Sequence, residues 1–340
     1  MKNIFIIIPV LLFTPEAFTQ PKVDSLLDIQ TPLNIGLTLS IKQIGGSKED
    51  TSYLAHVLYY YNAAGGKDSI PVGLKARGNF RLAQCYFPPL KMKIAKKAAK
   101  NTLFEGNKKL KLVLPCHNAN DNNELILKEY LCYKLYEAFT PYSFKTRLVN
   151  IDLTEIRRKD KTKSFKLKGI LVEDVDKAAK RLNAKAVELN VPPNSLDDTM
   201  ALRFDLFQFL IANTDWSKSY QHNSKLIYEK PNYIPLPYDF DMSGLVDAPY
   251  AVVSEVNGQS LPITDVRDRY YRGHCRSAAT TDFVRKEYLA KEEHLLSVPD
   301  ILKGELSDKE IDDIKDYLKE FFTILKDDKL FQMDIVDRCR

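Results

Sequence analysis

Two hydrophobic periodicities divide this chain and limit what it can fold into. In the first third, apolar residues favour alternate positions: Leu90, Met92 and Ile94 flank Lys91 and Lys93, and Leu110, Leu112 and Leu114 flank Lys111. Strands are expected at about 33–41, 53–61, 70–77, 89–94 and 109–114. From Leu127 the period changes. Leu127, Leu131, Leu135 and Phe139 recur every four residues, the face of a helix that opens after Asp121-Asn122-Asn123 and stops at Thr140-Pro141. Strands return at about 145–153 and 165–172. Then come helices at 174–182 and 196–211, a strand pair at 225–228 and 233–236, and helices at 280–296 and 308–325. Short strands joined by turns such as Ala64-Gly65-Gly66 and Gly78-Asn79 predict an antiparallel sheet. The chain reads as α+β: a sheet-rich region over 20–173, a connection near Glu173, and a mostly helical region over 174–340.

Residues 1–19 have the proportions of a signal peptide. Met1-Lys2-Asn3 precedes an apolar run from Ile4 to Phe13, too short for the roughly 20 residues a bilayer span needs. Ala17 and Thr19 suit cleavage before Gln20, which predicts an exported protein, periplasmic or extracellular. No later segment is long and apolar enough for a membrane span. A net charge of +5 over 340 residues, with acids and bases interspersed, argues against a nucleic-acid partner. The cluster Arg157-Arg158-Lys159-Asp160-Lys161 reads as an exposed loop between strands. Export permits disulfides. The five cysteines fit no zinc spacing; Cys85 and Cys116, both at strand–loop junctions, pair first, with Cys275 the competing partner. Cys132 falls inside a helical apolar pattern and reads as a core residue. Five scattered histidines show no metal spacing, and no Gly-x-Ser-x-Gly elbow is present.

The richest stretch for chemistry runs Asn213-Thr214-Asp215-Trp216-Ser217, then His222-Asn223, then Tyr238-Asp239-Phe240-Asp241. Phosphoryl transfer needs these residue types: one carboxylate to orient the attacking hydroxyl, and further oxygen ligands to hold Mg²⁺ on nucleotide phosphates. In this order Asp215 is the candidate base, Asn223 and Asp239 the metal ligands, and Asp241 a third ligand. His222 is a candidate substrate contact or an ordinary loop histidine. Arg267, Arg269, Arg272 and Arg276, with Tyr270 and Tyr271, form a segment that suits either an anionic substrate or packing and salt bridges.

The same residues resemble the atypical kinases of the spore-coat CotH type and, beyond them, an uncharacterised family of exported bacterial proteins. Arg77-Gly78-Asn79 matches the family's Arg-Gly-Asn signature, and Leu90-Lys91-Met92-Lys93-Ile94 its basic strand. Asn213-Thr214-Asp215-Trp216 with Asn223, and Tyr238-Asp239-Phe240-Asp241, match its two loops. The resemblance covers about residues 71–245. It implies a two-lobed protein-kinase-like fold, with an antiparallel-sheet N-lobe and a mostly helical C-lobe, and a phosphotransferase using ATP and Mg²⁺ on a protein or small-molecule hydroxyl. Arg77 or a strand lysine (Lys91, Lys93 or Lys111) contacts the phosphates, and Lys111 stands where a kinase lysine pairs with a helix glutamate, here Glu124 or Glu129. The chain departs from the pattern in two ways. Asp215 and Asn223 are eight positions apart, not five, and no G-x-G-x-x-G loop is visible. These departures, with the scarcity of ATP outside the cytoplasm, favour the alternative of an inactive exported binding or structural protein on the same scaffold.

Overall fold

The computed structural model describes residues 24–48, 52–61, 65–118, 120–256 and 258–340. The expected signal segment and its cleavage point lie outside the described residues.

Seven strands close into a barrel. They are β1 (Leu33–Leu39), β2 (Leu54–Tyr61), β3 (Lys67–Ala76), β4 (Leu90–Lys93), β5 (Lys109–Val113), β6 (Thr146–Ile156) and β7 (Thr162–Glu173), in the order β1-β2-β3-β4-β5-β7-β6. Six junctions are antiparallel. The seam between β1 and β6 is parallel, from Leu33 opposite Val149 to Leu39 opposite Glu155. Parity requires this: direction alternates across each antiparallel junction, so a closed ring with an odd number of strands must contain a parallel pair. The finding corrects the expected two-lobed kinase-like fold, because the sheet is mixed and closes on itself where an antiparallel N-lobe was expected. Alternation marks each strand but carries no information on which distant edges meet. Closure removes the exposed edges that an open sheet would leave.

Alternate residues such as Ile35, Leu37, Val72, Leu112 and Ile151 fill the barrel. Gly169 on β7 is a close-approach point, where a Cβ would lie 2.7 Å from the Ile151 side chain and 2.9 Å from the Val113 carbonyl. Short helices α1 (Ile41–Gly46), α2 (Phe80–Gln84) and α3 (Lys96–Ala99) follow β1, β3 and β4. The long helix α4 (Asn120–Phe139) lies outside the barrel, where Leu131, Leu135 and Phe139 join Leu148, Ile170 and Val172 in a second core.

That second core belongs mainly to the later elements. These are α5 (Val175–Arg181), β8 (Lys185–Val187), α6 (Asp198–Leu210), β9 (Ser224–Glu229), β10 (Asn232–Pro237), β11 (Glu255–Val256) and β12 (Gln259–Ser260). Then follow α7 (Ala278–Ala290), α8 (Glu292–Ser297), α9 (Asp308–Lys326) and α10 (Asp328–Phe331). The single helix expected over 280–296 is two, with Lys291 between them. α9 starts on a Ser307–Glu310 capping box and buries Ile311, Ile314, Leu318 and Phe321 on one face. β10, β9 and β8 form a small sheet. Arg158–Asp160 is an exposed turn between β6 and β7.

Cys85 bonds Cys116, and Cys275 bonds Cys339; Cys132 is free and buried. Two disulfides are compatible with an exported protein. No described helix is long and apolar enough to cross a membrane. The seam next to β7 gives a direct test. Gly169→Val is expected to cost about 1–3 kcal/mol in urea unfolding. Gly36→Ala, whose new Cβ meets only ordinary contacts at 3.6 Å and 3.9 Å, is the control and should shift stability far less.

Candidate functional site

The β9–β10 hairpin does most of the assembly. Its register pairs Ser224 with Pro237, so the flanking residues Asn223 and Tyr238 emerge side by side, and the Tyr238 amide donates to the Asn223 carbonyl at 3.3 Å. Asp239, one residue on, therefore stands beside Asn223. Asp215 comes from the loop after α6. Asn213 shapes that loop: its side-chain oxygen accepts the Asp215 amide at 3.0 Å, and its carbonyl accepts the Trp216 indole N–H at 3.0 Å. The Asp215 carboxylate receives Asn223 Nδ2 on one oxygen and meets His222 Nε2 on the other, both at 2.8 Å. Asn223 Nδ2 also donates to the Asp215 carbonyl at 2.8 Å. Ala212, Asn223 and Asp239 all have positive φ, of 47°, 46° and 65°. Backbone held in this region by residues other than glycine costs energy and concentrates at functional sites.

Two arginines from the barrel side face these acids. Gly78 turns the chain after β3 with φ of 83°, and Arg77 and Arg81 bracket the start of α2. Arg77 lies 3.4 Å from Asp239. Arg81 lies 3.6 Å from Glu129 on α4 and 3.8 Å from Asp241, and it donates to the Leu114 carbonyl. The Cys85–Cys116 bridge fastens the end of α2 to the chain just past Leu114, reinforced by the Tyr86 and Phe87 amides on the Cys116 carbonyl at 2.9 Å and 3.2 Å. Burial alone raises the Asp239 pKa, but Arg77, Arg81 and Lys111 outweigh it and hold this carboxyl below the usual range. Burial wins at Glu129 and Asp241, which share Arg81; both are pushed up. The Asp239 amide donates to the Tyr133 hydroxyl at 3.0 Å. Tyr133 on α4 thereby fixes the turn.

The strand lysines divide. Lys111 is carried on the outer face of β5 with its ammonium 3.9 Å from the Tyr238 ring centre and 5.3 Å from that of Phe144. That ammonium is buried with no hydrogen-bond partner among the described residues. Burial and then the nearby Arg77 lower its pKa to about 7, against the pull of Asp239. Lys91 is exposed, in register with Lys75 and Lys111, and close enough to depress the pKa of half-buried Lys225 after burial itself. Lys93 points beside Tyr53 instead, 5.7 Å from its ring centre. The lysine–glutamate pair expected at Lys111 does not form with Glu129; that carboxylate faces Arg81, because Lys111 is taken by the Tyr238 ring. The structure thus brings Asp215, Asn223, Asp239, Asp241, Arg77, Lys111 and Glu129 into one neighbourhood, with Lys91 at its edge and Lys93 outside.

Sequence reasoning missed Arg81, Tyr133 and Lys225. The only signal for Arg81 was its closeness in sequence to Arg77, just past the Gly78-Asn79 turn. Of the basic–aromatic segment, Arg269 and Arg276 are engaged structurally: Arg269 with Glu320 and Tyr317, Arg276 with Asp198 and the Pro193 carbonyl. Arg267 reaches Asp247 at 3.5 Å and lies over the Tyr317 ring. Arg272 lies in the wall of a cleft of about 750 Å³ beside Asp215, with Trp216 and His222.

Among the described residues no three His, Cys, Asp or Glu side chains converge to hold a metal ion by themselves. The donor set here is different: the amide oxygen of Asn223, whose Nδ2 is committed to Asp215, and the carboxylates of Asp239 and Asp241. Hard oxygens of this kind suit Mg²⁺, which commonly takes one or two carboxylates and completes its shell with water and phosphate.

The Lys111 titration gives a sign-definite test. An unfolded lysine titrates near 10.4, whereas folded Lys111 titrates near 7. Between these values the unfolded chain holds the extra proton, so stability rises with pH. Lys111→Met is expected to raise the melting temperature at pH 7 by at least about 3 °C and to flatten that rise between pH 7 and about 10. No protein-family model matches this chain, and no curated protein matches it.

Proposed function

We propose that the Asp215–Asn223–Asp239 site is a Mg²⁺-dependent phosphotransfer centre that moves phosphate from a nucleotide to a hydroxyl group. One observation carries the reading: a single hairpin register sets Asn223 against Asp215 on one side and Asp239 on the other, opposite the buried cations Arg77 and Lys111. The reading stands on this geometry and not on a kinase-like fold.

In it, Asp215 orients the acceptor. His222 and Asn223 each take one of its oxygens, and an ionised carboxylate has further acceptor sites to receive a hydroxyl. As the acceptor oxygen bonds phosphorus, its proton passes to Asp215; the bond from the γ-phosphorus to the bridging oxygen breaks, and nucleoside diphosphate leaves. Arg77 and Lys111 balance phosphate charge, and an incoming phosphate gives the Lys111 ammonium the anionic partner it lacks. Asn223, Asp239 and Asp241 would hold Mg²⁺, which supplies charge neutralisation on the β- and γ-phosphates.

A second reading has its own observation. Arg77 already faces Asp239, and Arg81 faces Asp241 and Glu129, which also describes an ionic scaffold that ties barrel to helices without turnover. Thermal unfolding with Mg²⁺ and ATP separates the two. Ligand at 100 times its dissociation constant should add about 2.7 kcal/mol. Asp239→Asn should abolish the Mg²⁺-dependent part. Asp215→Asn should keep the stabilisation and lower turnover by at least about 100-fold. No stabilisation by any nucleotide in the parent, with Asp239→Asn lowering the melting temperature in the absence of ligand, leaves the scaffold reading.

A further inference from the structure

The cleft beside Asp215 has a second charged wall that phosphate transfer does not use. Arg272 comes from the segment between β12 and α7. It donates to the Thr214 carbonyl, one residue before Asp215, and its guanidinium lies 5.2 Å from the Trp216 ring centre. Its Nε is buried without a partner among the described residues. Arg340 is delivered to the same cleft by the Cys275–Cys339 bridge. The Cys275 amide donates to the Arg340 carbonyl at 3.2 Å, and the Arg340 amide to the Gly273 carbonyl at 3.1 Å, so the two segments run side by side. Gly273 is required there, since a Cβ would lie 2.2 Å from the Tyr271 hydroxyl and 2.8 Å from Asp205.

Among the described residues neither Arg272 nor Arg340 forms an ion pair with an acid. The acids in the cleft are Asp215, already bonded to His222 and Asn223, and Glu255 on the rim. Burial and the neighbouring Arg340 bring the Arg272 pKa down to about 10. His274 is pushed to about 4 by burial and by Lys218, Arg340 and Arg276, so it adds no charge at neutral pH. Asp215 and Asp205 act on Arg272 only from beyond ion-pair distance. Two crowded guanidinium groups with no directly paired acid are what an incoming carboxylate or phosphate relieves, and the planar fork of arginine binds either in two-point fashion.

We infer that this cleft takes a hydroxyl-bearing acceptor that also carries an anionic group, a carboxylate or a phosphate, received by Arg272 and Arg340 while its hydroxyl reaches Asp215. This rests on the phosphotransfer reading for the role of Asp215, but the arginine site is testable apart from it. The volume of about 750 Å³ lies in the ordinary range for ligand sites. It admits either a short acidic peptide or a small hydroxy acid.

The chain has one tryptophan, Trp216, which lines this cleft with Arg272 over its ring, so its fluorescence reports on binding there. The probes are a serine peptide flanked by glutamates, the same peptide flanked by lysines, and D-glycerate, each titrated at low salt into the mature protein. At least one acidic probe is expected to bind, and the lysine peptide is not. The acidic probe that binds identifies the source. Arg340→Gln, at an exposed position, and Arg272→Gln are each expected to weaken binding at least tenfold, with Mg²⁺–ATP thermal stabilisation retained. Equal binding of both peptides, or parent-like affinity in Arg340→Gln and Arg272→Gln together, overturns the inference. Charge-dependent binding without any Mg²⁺–ATP stabilisation supports the arginine site and overturns the phosphotransfer reading. Mg²⁺–ATP stabilisation without charge-dependent binding overturns the acceptor assignment alone.

Discussion

Arg81 reaches three parts of the chain at once: the Leu114 carbonyl where β5 ends, Glu129 on α4, and Asp241 beyond the β10 strand. With Arg77 on Asp239, it forms the ionic joint between the barrel and the helical half. Burying charges of both signs is costly, and truncating one partner of such a pair typically costs about 3–5 kcal/mol because the other is left uncompensated. The joint survives because its geometry is fixed on every side. The Cys85–Cys116 bridge pins α2, the long helix α4 presents Glu129 and Tyr133, and the hairpin register fixes Asp239. An ionic arrangement this expensive could be replaced by apolar packing if it served stability alone.

The two disulfides act on the two ends of the same site. One holds the turn that carries Arg77 and Arg81 against the acids. The other brings Arg340 beside Arg272 in the cleft next to Asp215. Between them lies the strained segment with Ala212, Asn223 and Asp239 at positive φ. Both ends of the candidate site are therefore tied by covalent links, and the hairpin register sets its middle.

Much of the element order was legible in the sequence, because it depends on local pattern. The period-two runs around Lys91 and Lys111 became β4 and β5, and the period-four face from Leu127 became α4. The approach of Asp239 to Asn223 was legible in part, since a strand pair from Asn223 to Asp239 implies that the two ends of the hairpin meet; the Asp215–Asn223 contact depends on the loop after α6 and was not. Barrel closure was not legible, since the parallel pairing of Leu33–Leu39 with Val149–Glu155 depends on three-dimensional edge matching that alternation does not encode. The partner of Glu129 was missed for a related reason. Sequence order put Lys111 nearest to α4, yet Arg81 fills that space and Lys111 rests on Tyr238.

In the proposed phosphotransfer centre, Asn223 and Asp239 would share a divalent ion in front of Arg77. Crystals grown with Mn²⁺ and a non-hydrolysable ATP analogue test it most directly, through the anomalous signal of the metal. The account requires a single Mn²⁺ peak bonded to the Asn223 side-chain oxygen and to Asp239, with phosphate oxygens toward Arg77 and Lys111. A map with no peak between those two residues, and the Arg77 guanidinium still closed on Asp239 in the presence of the analogue, contradicts it.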